Sequence, residues 1–211
     1  DAIHTAKRAR ILGAAILEVR LDLLGIRDVD GAAALLKDLK HQVGLPIIAT
    51  NRCTREGGQW NGREADRIEL LISTIDRADA VDVELLAPLR SKVVDTAKSA
   101  GKIVIISLHD FSTTPSSDVM LSILILARDA GADIAKLAVT PAGTADTLRL
   151  LEITQQAGFP VCTIAMGRLG AHTRVVAPLY GSVLTYGAVD EAVAPGQLKI
   201  DELKHMLEVL S

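Results

Sequence analysis

Short apolar runs alternate with longer amphipathic stretches along the whole chain. The runs are four to six residues long, rich in Val and Ile, and nearly continuous in apolar character. This composition is typical of strands that are covered on both faces of a parallel sheet. The predicted strands are Ile16–Leu21, Pro46–Thr50, Ala80–Leu85, Ile103–Leu108, Ile134–Val139, Val161–Ala165 and Val183–Tyr186.

The stretches between these runs have apolar residues at helical spacing. A glycine follows several of them, at the position where a helix commonly ends in a left-handed residue. The predicted helices are Ala2–Leu12, Asp30–Val43, Gly62–Asp76, Pro88–Ser99, Ser116–Asp129, Thr144–Ala157 and Gly196–Leu210. The glycines at their ends are Gly13, Gly44, Gly101, Gly131 and Gly158.

Alternating strands and helices predict an α/β fold, either an open doubly wound sheet or a (β/α)₈ barrel. The strand count alone does not choose between the two. The pattern begins with a helix, whereas a parallel sheet of this kind normally has a strand before its first helix. We therefore expect that the first strand is missing from the given chain, which otherwise forms one domain over residues 1–211.

Composition narrows the range of functions. The net charge is −3, and only five of the 211 residues are aromatic. Acidic and basic residues are interspersed, so nothing indicates a nucleic-acid partner. The apolar runs are too short for a membrane helix. Two cysteines cannot form a disulfide framework, which favours a cytoplasmic location.

Charged residues interrupt the first predicted strand. Glu18, Arg20 and Asp22 occupy alternate positions and therefore share one face of it. In a barrel the opposite, apolar face would pack on helices, so the charged face would point inward. A buried charge needs a partner, and an ion pair between Glu18 and Arg20 is one structural interpretation.

Lys136 lies in the middle of the predicted strand Ile134–Val139. Lysine is rarely buried, and burial disfavours its charged form. A neutral amine attacks ketones and aldehydes to form a Schiff base. The alternative is an inert lysine that is paired with a carboxylate at a strand end.

His109 follows the predicted strand Ile103–Leu108, where a barrel strand meets the loop that carries active-site residues. Imidazole suits acid–base catalysis near neutral pH. The alternative is a capped histidine with a structural role.

Two loops have the composition of an anion or polyol site. Residues 51–58 and 166–174 combine glycines with arginines, which bind carboxylates through two hydrogen bonds. Neither loop has the spacing of a phosphate-binding motif. Asp82 and Glu84 alternate on one strand and could bind a cation, although a structural role is the favoured interpretation. No histidines and carboxylates occur at metal-ligand spacing, so no metal site is predicted.

Several of these segments together resemble type I 3-dehydroquinate dehydratases. The matching segments are 18–22, 52–58, 107–111 with 114–115, Lys136, 166–167 with 173–174, and 194–197. The resemblance covers the chain from the first helix to the last. It implies a (β/α)₈ barrel that converts 3-dehydroquinate into 3-dehydroshikimate in the shikimate pathway. It also implies that no metal or organic cofactor is used and that a homodimer is plausible.

The resemblance also assigns roles to residues. Lys136 would form an imine with the C3 ketone, His109 would remove the C2 proton and return it to the leaving hydroxyl, and Glu56 would orient that histidine. Arg174 would hold the substrate carboxylate. Further substrate contacts would come from Glu18, Arg20, Arg52 and Gln197.

Two positions depart from the family pattern. Thr173 stands where serine is common, and Val193 stands where many members have a serine that touches the substrate. A class I aldolase on a barrel is the alternative enzyme. A barrel that binds a ligand without catalysis is the alternative from another class.

Overall fold

The computed structural model describes residues 1–210, and its first element is helix α1. The chain divides into two compact units. The first contains Asp1–Ile106 and Ala130–Asp133, and the second contains Ser107–Asp129 and the residues from Ile134 onward. The expectation of a single barrel domain over residues 1–211 stays a prediction.

The first unit alternates helices with strands, as predicted. Its strands lie in the order β1-β2-β3-β4, and the pairs β1–β2 and β2–β3 are parallel, with Glu18 opposite Ile48 and Ile48 opposite Ala80. Strand β4 begins in this unit and ends in the second. The elements are α1 (Ala2–Leu12), β1 (Leu17–Arg20), α2 (Val29–Gln42), β2 (Ile47–Thr50), a 3₁₀ turn (Thr54–Glu56), α3 (Glu64–Ser73), β3 (Ala80–Glu84), α4 (Arg90–Ser99) and β4 (Ile103–Asp110).

The second unit continues the alternation in the order β4-β5-β6. Strands β5 and β6 are parallel, and Lys136 of β5 lies opposite Cys162 of β6. Its elements are α5 (Ser117–Asp129), β5 (Ile134–Val139), α6 (Thr144–Gln156), β6 (Val161–Ala165), α7 (Gly167–Gly170), α8 (Thr173–Val176), a 3₁₀ turn (Ala177–Tyr180), β7 (Gly187–Ala188), β8 (Leu198–Lys199) and α9 (Ile200–Leu210).

Aliphatic side chains fill the core of each unit, as the scarcity of aromatic residues predicts. Leu36, Ile47 and Ile105 are fully buried in the first unit, and Leu124 and Leu137 are fully buried in the second. The predicted helix ends are confirmed as well. The five glycines that the sequence places there all have φ between 66° and 104°, in the left-handed region: Gly13, Gly44, Gly101, Gly131 and Gly158.

The predicted strand Val183–Tyr186 is wrong. One rung of a ladder forms, because the Val183 amide donates to the Val161 carbonyl at 2.8 Å. The ladder then stops, since the Ser182 hydroxyl accepts from the Thr163 amide at 3.3 Å and donates to the Leu184 carbonyl at 3.0 Å. Side-chain hydrogen bonds of this kind compete with the strand for backbone groups.

The last predicted helix also begins later than expected. Residues 198–199 form β8, which pairs with β7 in parallel, so the helix begins at Ile200 rather than at Gly196.

Replacing Leu36 with alanine should lower the free energy of unfolding by about 2–5 kcal/mol, because the fully buried side chain leaves a cavity in the core. Leu148→Ala is the control, since Leu148 is 66% exposed and its removal opens no cavity. Urea unfolding followed by circular dichroism measures both. Equal losses in the two variants would contradict this account of the core.

Candidate active site

Asp22 organises the carboxyl end of β1. Arg20 donates to both of its carboxylate oxygens, at 2.9 and 2.7 Å, and the backbone amides of Arg52 and Gln59 donate to it at 3.1 and 3.0 Å. Burial alone would raise the pKa of Asp22, but Arg20 and the two amides outweigh burial and hold the pKa below its usual value. Arg20 therefore pairs with Asp22, two residues further along the chain, and the interpretation that it pairs with Glu18 is wrong.

Arg52 lies buried at the carboxyl end of β2 between two carboxylates. Its guanidinium is 2.7 Å from Asp82 Oδ1 and 3.3 Å from Glu84 Oε1. Burial would lower the pKa of Arg52, but the charges of Asp82, Glu84 and Glu18 raise it well above its usual value. The favoured structural role of Asp82 and Glu84 is thus confirmed.

Glu18 and Glu56 complete the predicted residues of the first unit. Glu18 Oε1 accepts a hydrogen bond from the Thr50 hydroxyl at 2.9 Å. Glu56 is buried in the 3₁₀ turn that begins two residues after Arg52. Gly58 closes this loop, since a Cβ atom there would lie 2.0 Å from the Arg52 carbonyl oxygen. This glycine is needed by the loop's own backbone.

Lys136 is the third residue of β5 and is only 5% exposed. Its Nζ atom lies 4.3 Å from the centre of the Tyr186 ring, within the range of a cation–π contact. The strand position and the burial predicted from the sequence are both confirmed. Lys136 therefore lies within an apolar strand and packs against an aromatic ring.

His109 is the penultimate residue of β4, the strand next to β5, and is half-buried. The backbone that follows it is fixed. The Asp110 carbonyl accepts from the Thr140 hydroxyl at 3.0 Å, and the Asp110 carboxylate accepts from the amides of Ser112 and Thr113 at 2.8 and 2.9 Å. The loop after β5 thereby helps to set where β4 ends.

Arg174 is buried on α8 and holds a neighbouring loop. Its guanidinium donates to the carbonyls of Gly196 and Pro195 at 3.0 and 3.1 Å, and to that of Tyr186 at 3.5 Å. Burial lowers the pKa of Arg174 from its usual value. Arginine keeps its proton in proteins, so Arg174 carries a positive charge while its partners are neutral carbonyl groups.

The two departures from the family pattern have different surroundings. The Thr173 hydroxyl is buried, donates to the Gly170 carbonyl at 2.7 Å and accepts from the Ala165 amide at 3.2 Å. It therefore ties α7 to the end of β6. Val193 is exposed, and its amide donates to Gln197 Oε1 at 3.0 Å, so Gln197 holds its own loop.

The eight predicted site residues are divided equally between the two units. Two residues that the sequence analysis did not single out also contribute. Arg67 is buried on α3, where an arginine among the apolar positions of the helix is the available signal. Tyr186 had no such signal, because it was assigned to a strand. The first unit holds Glu18, Arg20, Arg52 and Glu56, and the second holds Lys136, His109, Arg174 and Gln197.

Residues 1–210 contain neither a cluster of metal-ligating side chains nor a membrane-spanning helix. No group of three or more His, Cys, Asp or Glu side chains in this range has the arrangement of a metal site. No helix in this range is long and apolar enough to cross a membrane.

Comparison with known proteins gives a consistent result. The family model described as type I 3-dehydroquinase matches residues 1–211. A 3-dehydroquinate dehydratase from Methanosarcina barkeri is 54% identical over 99% of this chain and 90% of its own length.

Solved structures agree. The 3-dehydroquinate dehydratase of Geobacillus kaustophilus is 33% identical, with a TM-score of 0.91 over 99% of this chain and 85% of that one. The type I enzyme of Clostridium difficile, solved with covalently modified comenic acid, is 31% identical, with a TM-score of 0.92 over 99% of this chain and 86% of that one. These similarities confirm the predicted α/β fold of the (β/α)₈ barrel class.

Asp22 should make stability depend on acidic pH. Since its pKa is lowered on folding, its contribution is fully present above the ordinary pKa of 3.8 and is lost as the pH falls through the lower folded value. Asp22→Asn should therefore reduce the free energy of unfolding at pH 7 by about 1–3 kcal/mol. The free energies of unfolding of Asp22→Asn and the parent protein should become more similar as the pH falls below the ordinary pKa of the aspartate.

Urea unfolding at neutral and acidic pH measures this effect. Asp66→Asn is the control, because Asp66 forms an exposed pair with Arg63 and should change stability less. If the difference in the free energy of unfolding between Asp22→Asn and the parent protein is the same at every pH, the pKa of Asp22 is not lowered on folding.

Proposed function

The chain belongs to the type I 3-dehydroquinase family, and we propose that it acts through an imine formed on Lys136. Its reaction is that of a hydro-lyase, the removal of water from 3-dehydroquinate to give 3-dehydroshikimate in the shikimate pathway. The observation that carries the imine proposal is the burial of Lys136 within β5, under the ring of Tyr186.

This environment suits imine chemistry in two ways. Burial disfavours the ammonium form and therefore favours the nucleophilic amine. Once the imine has formed and is protonated, it carries a positive charge, which the face of the Tyr186 ring stabilises. An iminium withdraws electrons from the neighbouring carbon more strongly than a ketone does.

The proposed steps balance as one net loss of water. The Lys136 amine adds to the C3 carbonyl carbon, water departs, and the protonated imine remains. His109 takes the C2 proton, and the C–H electrons move to the iminium to give an enamine. The enamine expels the C1 hydroxyl, which leaves as water with the proton that His109 returns. Hydrolysis of the imine then frees the product and the lysine.

His109 is suited to both proton transfers because it lies at the end of β4, the neighbour of the strand that carries Lys136. We propose that Glu56 orients His109 and favours its charged form. This role is proposed from membership of the type I 3-dehydroquinase family.

Arg174 is the proposed clamp for the substrate carboxylate. Its present partners are neutral carbonyls, so its positive charge is available to an anion. Gln197 lies next to the Pro195–Gly196 carbonyls that Arg174 holds, and we propose that it contacts the substrate from this loop. Val193 offers no side-chain hydrogen bond, so binding depends more on Arg174 and Gln197.

Glu18, Arg20 and Arg52 are the proposed contacts for the ring hydroxyl groups. The hydrogen bonds and ion pairs described above fix Arg20 and Arg52 before any ligand arrives. Such preorganisation reduces the entropy lost on binding.

Covalent chemistry is also supported by one relative. The type I enzyme of Clostridium difficile was solved with covalently modified comenic acid, which is in keeping with covalent chemistry at this kind of site. A class I aldolase would use a similar lysine, but family membership favours the dehydratase. A barrel without activity would have no need to keep Lys136, His109, Glu56 and Arg174 together.

Location and assembly are further parts of the proposal. Both cysteines, Cys53 and Cys162, are free thiols, which suits a reducing cytoplasm. Homodimer formation is expected from the family resemblance, and analytical ultracentrifugation would test it.

Lys136→Ala should lower kcat by roughly 10³-fold or more, because no other group replaces the amine as nucleophile. The assay follows the ultraviolet absorbance of the conjugated enone product. Borohydride added with 3-dehydroquinate should attach a substrate-derived mass to Lys136 of the parent protein and not to the variant.

Lys92→Ala is the matched control, since Lys92 is an exposed lysine on α4. It should retain full activity and should still be labelled at Lys136. Near-parental turnover by Lys136→Ala, or a label on a different lysine, would refute the imine proposal. A label that forms only from a sugar phosphate would favour the aldolase.

A further inference from the structure

Arg67 is a buried charge that the reaction does not use. It lies on α3 and is 1% exposed, whereas Arg63 at the start of the same helix is exposed. Removing a guanidinium from water is unfavourable unless several partners compensate. The contacts of Arg67 therefore show which residues hold α3 in place.

Three groups bind the Arg67 guanidinium. Nε and Nη2 donate to the two carboxylate oxygens of Glu64, at 2.7 and 2.8 Å. Nη1 lies 2.8 Å from Glu84 Oε2 and also donates to the Asn51 carbonyl oxygen at 2.5 Å. Burial would lower the pKa of Arg67, but Glu64 and Glu84 raise it, so the group stays charged.

Asn51 and Glu84 connect Arg67 to the residues before and after Arg52 in the chain. Asn51 precedes Arg52, and its side-chain amide donates back to the Arg67 carbonyl at 3.2 Å, so the two residues exchange hydrogen bonds. Cys53 follows Arg52, and its backbone amide donates to Glu84 Oε1 at 2.9 Å. The same Glu84 oxygen lies 3.3 Å from the Arg52 guanidinium.

We propose that Arg67 is a positioning residue that sets the place and direction of the Arg52 side chain. One route runs through Asn51, which Arg67 binds and which precedes Arg52 in the chain. The other runs through Glu84, which pairs with both arginines. Arg67 itself does not contact the substrate. The inference depends on the proposed role of Arg52 in binding the substrate. Arg67 therefore contributes to substrate affinity only by holding Arg52 in position.

Lysine cannot replace arginine here, because the contacts require a planar group with separate donors. A single ammonium cannot bind both oxygens of Glu64 and also reach Glu84 and Asn51. Arg67→Lys keeps the charge and the fold but releases part of this set. Arg52 then keeps its ion pair with Asp82 but loses part of the support that reaches it through Glu84 and Asn51.

Arg67→Lys should raise KM about tenfold, the size expected when a hydrogen bond to a charged group is lost, with kcat changed less than about threefold. Steady-state kinetics at several pH values, with folding checked by circular dichroism, measure this. A KM equal to that of the parent protein, or a fall in kcat alone, would overturn the inference.

A double-mutant cycle tests the route of the effect. If Arg67 acts through Arg52, then adding Arg67→Lys to Arg52→Lys should change KM less than about twofold, because the pathway is already broken. Full multiplication of the two effects would show that Arg67 has only a general structural role and would refute the inference.

Glu64→Gln is the control for stability. It weakens the Glu64 side of the cluster but leaves the contacts of Arg67 with Glu84 and Asn51, so KM should stay within about twofold. An equal rise of KM in Glu64→Gln and Arg67→Lys would overturn the inference. Borohydride labelling of Lys136 in the parent protein tests the imine separately. A failed label together with a non-additive Arg67 effect would refute the imine and support the positioning role.

Discussion

The ion pairs around Arg52 are the constraint on which the candidate site of the first unit depends. A buried guanidinium needs partners that compensate for the loss of water, and for Arg52 these are Asp82 and Glu84 of the neighbouring strand β3. The same carboxylates bind other parts of the unit, since Glu84 also accepts from the Cys53 amide and pairs with Arg67. One set of charges therefore holds β3, the loop that follows β2, and α3 together. Removing any member would leave the remaining buried charges with fewer partners.

In the second unit, the candidate site depends on the packing around Lys136. Lys136 is exposed to little water, and Tyr186 covers it from a segment that forms no regular strand. That segment avoids strand structure because Ser182 bonds to Leu184 and to the Thr163 amide. The Tyr186 carbonyl in turn accepts from Arg174. The irregular backbone thus lets Tyr186 contact both Lys136 and Arg174.

The sequence predicted what local pattern determines. Continuous apolar runs identified β1 to β6, glycines marked the helix ends, and a charged residue inside an apolar strand singled out Lys136. Pairings between distant residues were not predictable, because any of several carboxylates could have bound Arg52. The hydrogen bonds of Ser182 also override the apolar pattern of Val183–Tyr186, and only tertiary contacts show this. Arg67 escaped notice because one arginine on a helix is normally exposed.

The buried arginines differ in what surrounds them, and this difference fits the roles proposed for them. Carboxylates raise the pKa of Arg52 and Arg67 and neutralise their charge, so both are suited to fixing structure and offering directed hydrogen bonds. Arg174 bonds only to carbonyl oxygens, and burial lowers its pKa. Carbonyl dipoles leave its net charge in place. An incoming carboxylate therefore gains a full charge–charge interaction at Arg174, whereas at Arg52 or Arg67 it would have to compete with carboxylates already bound.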